Sequence, residues 1–283
     1  MNGAIPWWGK MAAKIALSRI PVRYAAWERL HLFKHGTMEQ PLYALAVFRK
    51  HFERSGMQGR HDFSVLEIGP GDTLSTAVIA AASGANRCWL VDAGPFARTD
   101  VQPYRDLVAS LRAGGLHVGA LDRFATRDEL LAACNATYLT HGTSSLADIP
   151  DAAVDFIFSH AVLEHVRRGE FTRFAGELRR ILKPGGVASH QVDLRDHLGG
   201  HLNNLRFSER TWESGFMARS GFYTNRIRFH EMLDCFRRAG FDCNVMGTGK
   251  FDAIEPVRSA MAAPFRDLPD DELIVSDFDV VLR

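Results

Sequence analysis

The run Val65-Leu66-Glu67-Ile68-Gly69-Pro70-Gly71 determines how the rest of this 283-residue chain is interpreted. The apolar residues from Phe63 to Ile68 predict a short buried β-strand that ends in a glycine turn. Between Asp72 and Ser83 apolar residues recur at helical spacing, which predicts a helix after the turn. Glycine has no Cβ, so the backbone of the turn can bend sharply and approach a ligand closely. A strand, a glycine turn and a helix in this order are typical of the start of a nucleotide-binding α/β unit.

A second strand is predicted at residues 86–92, and Asp92 ends it about 20 residues after the glycine turn. An acidic side chain in this place can accept hydrogen bonds from both hydroxyls of a ribose. This feature therefore indicates a bound ribose, without choosing among the cofactors that contain one.

The segment from Ile149 to Val166 contains the next strong signal. Val154 to Phe158 is almost entirely apolar, as expected of a central parallel strand that is buried on both faces. Ligands of parallel sheets bind beyond the carboxyl ends of the strands, which is where Ser159 and His160 fall. A helix is predicted next, and it ends at Lys183-Pro184-Gly185-Gly186, before a fifth strand at Val187–Val192.

Three of these motifs together resemble those of class I S-adenosylmethionine (SAM) methyltransferases: Glu67-Ile68-Gly69-Pro70-Gly71, Leu163-Glu164-His165-Val166 and Leu182-Lys183-Pro184-Gly185-Gly186. The resemblance implies a Rossmann-like α/β fold with a seven-stranded, mostly parallel sheet whose last strand is antiparallel. It also implies SAM as the cofactor and S-adenosylhomocysteine (SAH) as the product. The cofactor-binding residues expected from it are Glu67, Gly69, Pro70, Gly71, Asp92, Ala93, Ser144, Ser159 and His160.

We expect a helical N-terminal cap at residues 1–62 and a methyltransferase domain at 63–283, with a substrate-side insertion at 194–226. Helices are predicted in the cap at about Trp7–Arg19, Val22–Phe33 and Gln40–Arg54. The first of them alternates apolar and basic residues, so contact with a membrane surface is an alternative to packing on the domain. Packing is the preferred interpretation.

Methyl transfer from SAM depends mainly on in-line positioning of the acceptor. A hydroxyl acceptor also needs a base for its proton, and histidine suits this role because its ordinary pKa is about 6.5. The candidates for the base are His197, His165 and His190, and Asp193 is an orienting group or an alternative base.

Three arginines, Arg195, Arg206 and Arg226, are candidates to bind an anionic group of the substrate. Aromatic residues of the insertion could stack on a sugar, and they are Phe207, Trp212, Phe216 and Phe222. We predict no metal, although Asp193, His197 and His201 form an alternative set of ligands.

The composition excludes several classes of protein. Lys and Arg number 34 against 33 Asp and Glu, so no overall charge favours nucleic acid. The four cysteines contain no Cys-x-x-Cys pair, which favours reduced thiols in a cytoplasmic protein. No apolar run has the length of a membrane-spanning helix.

These observations favour a SAM-dependent O-methyltransferase that acts on a hydroxyl of a small polar metabolite or a glycan. Three alternatives stay open: a non-catalytic protein of the same fold, a protein or RNA methyltransferase, and a nicotinamide dehydrogenase. The dehydrogenase fingerprint needs a third glycine where this chain has Leu74.

Overall fold

The computed structural model describes residues 6–18, 40–119, 121 and 123–283. Helix α1 (Trp7–Ser18) and helix α2 (Pro41–Arg54) precede the first strand, close to the predicted bounds of two of the three N-terminal helices. The predicted helix at Val22–Phe33 lies outside the described residues.

The strands follow the predicted order along the chain. They are β1 (Phe63–Ile68), β2 (Ala85–Val91), β3 (Ala136–Leu139), β4 (Val154–His160), β5 (Leu182–Asp193), β6 (Cys243–Lys250) and β7 (Val275–Leu282). The longer helices that connect these strands are α3 (Ser75–Ala82), α4 (Gln102–Ala113), α5 (Arg127–Ala133), α6 (Phe171–Ile181) and α7 (Phe229–Arg238).

Shorter helical segments lie in the connections. Single α-helical turns occupy Glu209–Trp212, Gly215–Ala218, Ala263–Arg266 and Asp270–Leu273. Segments of 3-10 helix occupy Gly142–Asp148, Leu163–His165, Arg168–Glu170, Asn203–Arg206 and Arg258–Ala260.

The seven strands are hydrogen-bonded in the order β3-β2-β1-β4-β5-β7-β6. Strand β1 runs parallel to both β2 and β4, β2 runs parallel to β3, and the last strands are antiparallel. This arrangement confirms the predicted Rossmann-like sheet. Because β4 pairs with β1 and not with β3, the strand order reverses between β1 and β4, where parallel sheets bind their ligands.

Strand β5 is longer than predicted. Helix α6 ends at Ile181 and the strand begins at Leu182, so Lys183–Gly186 lies within the strand. Pro184, Gly185 and Gly186 are residue types typical of turns, which is why the sequence predicts a break here. Gly185 does have a φ of 75°, a conformation that suits glycine, but it lies within the strand.

The chain folds into two compact units, each made from separate stretches of sequence. The glycine-turn unit contains residues 40–160, 176–190 and 281–283 of the described chain. The insertion unit contains residues 6–18, 161–175 and 191–280.

The core of the glycine-turn unit includes β1, all six residues of which are buried. Helix α2 contributes a face made of Ala44, Val47, Phe48 and His51 to this unit. The ring of Phe48 lies 6.2 and 5.8 Å from the rings of Phe156 and Phe158, so α2 packs on β4.

The insertion unit has its own apolar cluster of Leu198, Trp212, Met217, Phe222 and Tyr223. Trp7, Met11 and Ile15 of α1 pack against that cluster, in agreement with the preferred interpretation of this helix. None of the helices in the described segments combines the length and the hydropathy that crossing a bilayer requires.

Candidate functional site

The glycine turn after β1 has the backbone conformation that its sequence predicts. Gly69 and Gly71 have φ values of 74° and 67°, in the left-handed region that glycine adopts without strain. The Gly69 amide donates to the Val91 carbonyl at 2.8 Å, which fixes the turn to the end of β2. Pro70, between the two glycines, is buried.

Asp92 follows β2 directly and is only 8% exposed. Its carboxylate accepts hydrogen bonds from the Gly71 amide at 2.8 Å and from the Ala93 amide at 2.7 Å. The Asp92 carbonyl accepts from the Gly142 amide at 2.8 Å. One residue thus connects the loops after β1, β2 and β3. A carboxylate offers about four lone-pair sites, so further donors such as ribose hydroxyls can still be accommodated.

The loop after β3 lies directly beside this turn. A Cβ added at Gly142 would come within 3.7 Å of the Ala93 Cα, and Gly142 has a φ of 61°. Ser144 is exposed, and its hydroxyl donates to the His141 carbonyl at 2.6 Å. Ala93 and Ser144 are both exposed, in the neighbouring loops after β2 and β3.

Glu67 lies inside β1 and is 3% exposed. Burial raises the pKa of its carboxyl to about 8, and the negative charge of Asp92 acts in the same direction. Burial thus favours the protonated form of this side chain. Glu67 belongs to the buried wall beneath the glycine turn.

Strand β4 brings Ser159 and His160 to the same edge of the sheet. Ile68 of β1 pairs with Val91 of β2 and with Ser159 of β4. The residues that come directly after these three are Gly69, Asp92 and His160, so they lie side by side on adjacent strands. Adjacent strands are about 4.8 Å apart. The structure thus brings together the glycine turn, the acidic residue and a histidine, as the sequence predicts.

Ser159 and His190 form a buried pair. The Ser159 hydroxyl lies 2.8 Å from Nδ1 of His190, and neither side chain is exposed. Burial disfavours the imidazolium cation and lowers the pKa of His190 to about 3. Among the candidate bases, His190 is the one held inside the core.

His160 belongs to a row of polar side chains that sequence reasoning missed in part. Its Nδ1 lies 3.3 Å from Nε2 of His51, and its Nε2 lies 3.5 Å from the Tyr43 hydroxyl. Nδ1 of His51 is in turn 2.8 Å from the Ser189 hydroxyl. Burial, reinforced by the neighbouring histidines and cations, lowers the pKa of His51 to about 2.

Two other candidate bases, His165 and His197, meet in the insertion unit. Their ring centroids are 4.9 Å apart, and Glu164 lies beside them, with one possible ligand atom from each residue within 4.8 Å of the others. Burial lowers the pKa of His197 and raises that of Glu164 to about 8. Sequence reasoning missed Glu164, whose only signal is its place in Leu163-Glu164-His165-Val166.

Asp193 is paired with a predicted substrate residue. Both of its carboxylate oxygens accept from the Arg195 guanidinium, each at 2.9 Å. His201 has its Nδ1 3.8 Å from a carboxylate oxygen of Glu255. Within the described part of the chain, Asp193, His197 and His201 do not form a group with metal-ligand spacing.

The other two predicted substrate arginines contact the protein itself. Arg226 is 3% exposed, donates to the Phe207 carbonyl at 2.6 Å and lies 4.9 Å from the centroid of the Phe265 ring. Burial lowers the pKa of Arg226 to about 10. Arg206 donates to the Asn203 side chain at 3.1 Å, and its guanidinium lies 5.1 Å from the Trp7 ring.

Two of the insertion aromatics have a structural role. Trp212 and Phe222 are 0% exposed, so the prediction that they stack on a substrate is wrong for both. Most of their neighbours in sequence are polar, so local pattern does not indicate that these two side chains belong to a buried apolar cluster. Phe216, by contrast, is 50% exposed.

Residues 66–189 match a family model described as a methyltransferase domain. No curated protein matches the chain. Among solved structures, the chain is similar to a SAM-dependent methyltransferase from Mesorhizobium loti at 15% identity, with 79% of this chain and 91% of that chain covered and a TM-score of 0.43. A SAM-dependent methyltransferase from Methanosarcina mazei gives 16% identity, 79% and 92% coverage and a TM-score of 0.46. The phosphoethanolamine N-methyltransferase 2 of Haemonchus contortus gives 13% identity, 82% and 51% coverage and a TM-score of 0.47.

The matched residues contain the end of β1, the glycine turn, Asp92 and β4, which are the parts that build the edge described above. Residues 66–189 are therefore similar to a methyltransferase domain, in support of the resemblance to class I, S-adenosylmethionine-dependent methyltransferases.

Proposed function

We propose that this protein is a SAM-dependent O-methyltransferase that acts on a hydroxyl group of a small polar metabolite or a glycan. The observation that carries the proposal is a half-buried imidazole, that of His160, one strand away from the glycine turn. A hydroxyl is the acceptor that gains most from such a neighbour, because its proton must leave as the new bond forms.

The residues around the turn fit the cofactor. Gly69 and Gly71 have positive φ values and carry no Cβ, so the turn can approach a ligand closely at these two positions. The Asp92 carboxylate can accept hydrogen bonds from a ribose. When bound, SAM supplies a methyl group that is already activated on a sulfonium. The tasks left to the protein are to orient the acceptor and to remove its proton.

His160 is the group that we propose for removing the proton. This assignment differs from the sequence-based expectation, which placed His160 among the cofactor residues and favoured His197 and His165 as bases. His51, neutral because of its low pKa, contacts Nδ1 of His160 at 3.3 Å and orients the ring. The Tyr43 hydroxyl is 3.5 Å from Nε2, which is the nitrogen that would take the proton. His190 is a poorer candidate because it is fully buried against Ser159.

A labelling experiment tests the proposal. Protein is incubated with methyl-labelled SAM and fractionated polar metabolites and glycans, and the labelled product is identified by mass. We expect the label on oxygen, and we expect His160→Gln to reduce transfer by about 10²- to 10⁴-fold, the usual contribution of a general base.

The control is His117→Asn, which changes an exposed histidine and should leave transfer unchanged. SAH affinity should stay within a few-fold of wild type in both variants. A label on nitrogen or carbon, or full transfer by His160→Gln, would contradict the proposal.

A further inference from the structure

Glu164, His165 and His197 in the insertion unit form a group whose geometry calls for a ligand. Glu164 is only 2% exposed, and neither of its carboxylate oxygens has a side-chain hydrogen-bond partner among the described residues, although the backbone amides of Glu164 itself and of Asp193 are close by. A buried carboxyl group without a partner is costly, and such groups persist in proteins where a ligand or an ion satisfies them.

The two histidines present nitrogen atoms to the same place. Nδ1 of His165 lies 2.9 Å from the Tyr223 carbonyl, which can only accept a hydrogen bond. In the neutral ring Nδ1 therefore carries the proton and Nε2 carries the lone pair. A backbone carbonyl that fixes the tautomer in this way is the usual second partner of a histidine that binds metal.

His197 completes the group. Its Nε2 is buried without a hydrogen-bond partner in the described structure, while its backbone carbonyl accepts from the Lys14 ammonium at 2.9 Å. One candidate ligand atom from each of the three residues lies within 4.8 Å of the others. A cation that binds nitrogen and oxygen at about 2.0–2.2 Å would draw the three atoms slightly closer together.

From this arrangement we infer that Glu164, His165 and His197 bind a divalent transition-metal cation, for which zinc is the natural probe. Two imidazoles and one carboxylate form a ligand set that zinc accepts, with a fourth position left for water or a substrate oxygen. Glu164 is buried, His197 is half-buried and His165 is exposed, so the group has a side open to solvent.

The charges near His197 are mixed. Asp193 and Asp196 are close to its ring, as are Lys14 and Arg195. The Asp193 carboxylate is paired with Arg195, and that of Asp196 accepts the amides of Leu198, Gly199 and Asn203. Both aspartates already have partners, which leaves Glu164 as the carboxylate available to a cation.

The inference departs from the prediction that the protein binds no metal. It goes beyond the proposed function, because it concerns the binding of a cation and not the transfer of a methyl group. Sequence reasoning chose Asp193 and His201 as partners for His197, since they are near in sequence. Local pattern could not predict that His165 lies beside His197, because a helix and a strand separate the two residues along the chain.

A zinc titration tests the inference. The full-length protein is treated with a chelator, freed of it by gel filtration and titrated calorimetrically with zinc chloride. We expect one equivalent to bind. We expect Glu164→Gln and His165→Asn each to weaken binding by at least tenfold, in keeping with the loss of one ligand.

His165 is exposed, so its replacement leaves the core intact and keeps the test valid if Glu164→Gln proves unstable. The matched control is His117→Asn, in which zinc binding should equal that of wild type. A wild-type protein that binds no stoichiometric zinc would overturn the inference, as would variants of Glu164 and His165 that both bind zinc like wild type. The titration contains neither SAM nor an acceptor, so its result is independent of the proposed methyl transfer.

Discussion

The Asp92 carboxylate accepts the amides of Gly71 and Ala93, and its carbonyl accepts the amide of Gly142. Its negative charge strengthens the two carboxylate bonds and is also what a ribose hydroxyl would meet. Replacing Asp92 by asparagine removes that charge with little change in shape. A hydrogen bond to a charged group contributes about 1.5–3 kcal/mol, so we expect SAH to bind roughly 10- to 100-fold more weakly in Asp92→Asn.

Calorimetric titration of the variant with SAH measures this effect. Asp148→Asn is the control, because Asp148 is an exposed carboxylate in the neighbouring 3-10 helix. Equal SAH affinity in Asp92→Asn and Asp148→Asn would show that Asp92 does not contact the cofactor.

Individual residues differ in how well the sequence predicts them. The place of Asp92 directly after β2 could be predicted because it depends only on local strand pattern and on distance along the chain from the glycine turn. His51 and Tyr43 could not, because they contact His160 only after α2 packs on β4. The one available signal for His51 is its spacing with Ala44, Val47 and Phe48, which puts a histidine on an apolar helix face.

At the scale of single elements, Gly69 in the turn between β1 and α3 can be compared with Gly59 in the loop that precedes β1. Gly69 and Gly59 both have a φ of 74°, and a Cβ at Gly59 would meet nothing within 4 Å. An alanine in this region of backbone conformation costs about 1–2 kcal/mol. We therefore expect Gly69→Ala and Gly59→Ala to lower the free energy of unfolding by similar amounts.

The two variants should differ in their binding of SAH. Gly69→Ala places a methyl group where the turn approaches the cofactor, so we expect affinity to fall by roughly tenfold or more. Gly59→Ala should bind SAH like wild type. Urea denaturation and calorimetry on both proteins provide the measurements, and an unchanged affinity in Gly69→Ala would mean that the cofactor does not approach this turn.

Most elements were predictable from local pattern, and the errors have physical causes. β1 and β2 were placed within about two residues, because their runs of apolar residues are regular. In α2, Leu42, Leu45 and Phe48 recur at helical spacing, but Leu42 is 77% exposed, whereas Ala44 and Val47 are buried. Both sets have helical spacing, and the contact with β4 decides between them.

At the scale of the whole molecule, the division of the chain into two compact units could not be predicted from the sequence. Residues 6–18 belong to the insertion unit, whereas α2 belongs to the glycine-turn unit. Trp7, Met11 and Ile15 reach Trp212 and Phe222, about 200 residues further along the chain, and no local pattern encodes such a contact. The predicted boundary between a cap and a domain at residue 62 stays a prediction.

The stability of the molecule in acid follows from its buried histidines. His51 and His190 have pKa values of about 2 and about 3 in the folded protein, against about 6.5 in an unfolded chain. As the pH falls below about 6.5, the unfolded state takes up protons that the folded state does not. Below about pH 6.5, each histidine therefore lowers the free energy of unfolding by about 1.4 kcal/mol for every unit by which the pH falls.

Urea denaturation at several pH values between 4 and 7 measures this slope. In His51→Gln one of the two groups no longer titrates, so we expect a slope about 1.4 kcal/mol per pH unit smaller than that of wild type. The exposed His117, changed to asparagine, serves as the control. An identical slope in wild type and His51→Gln would contradict the assignment of His51 as a neutral buried group.

The most direct test of the whole account is a calorimetric titration of the wild-type protein with SAM, SAH and NAD⁺ in parallel. The glycine turn without a third glycine and the Asp92 carboxylate predict binding of SAM and SAH at one site per chain, and no binding of NAD⁺. Heat from NAD⁺ alone, or no heat from either SAM or SAH, would contradict the central claim that this edge of the sheet binds the methyl donor.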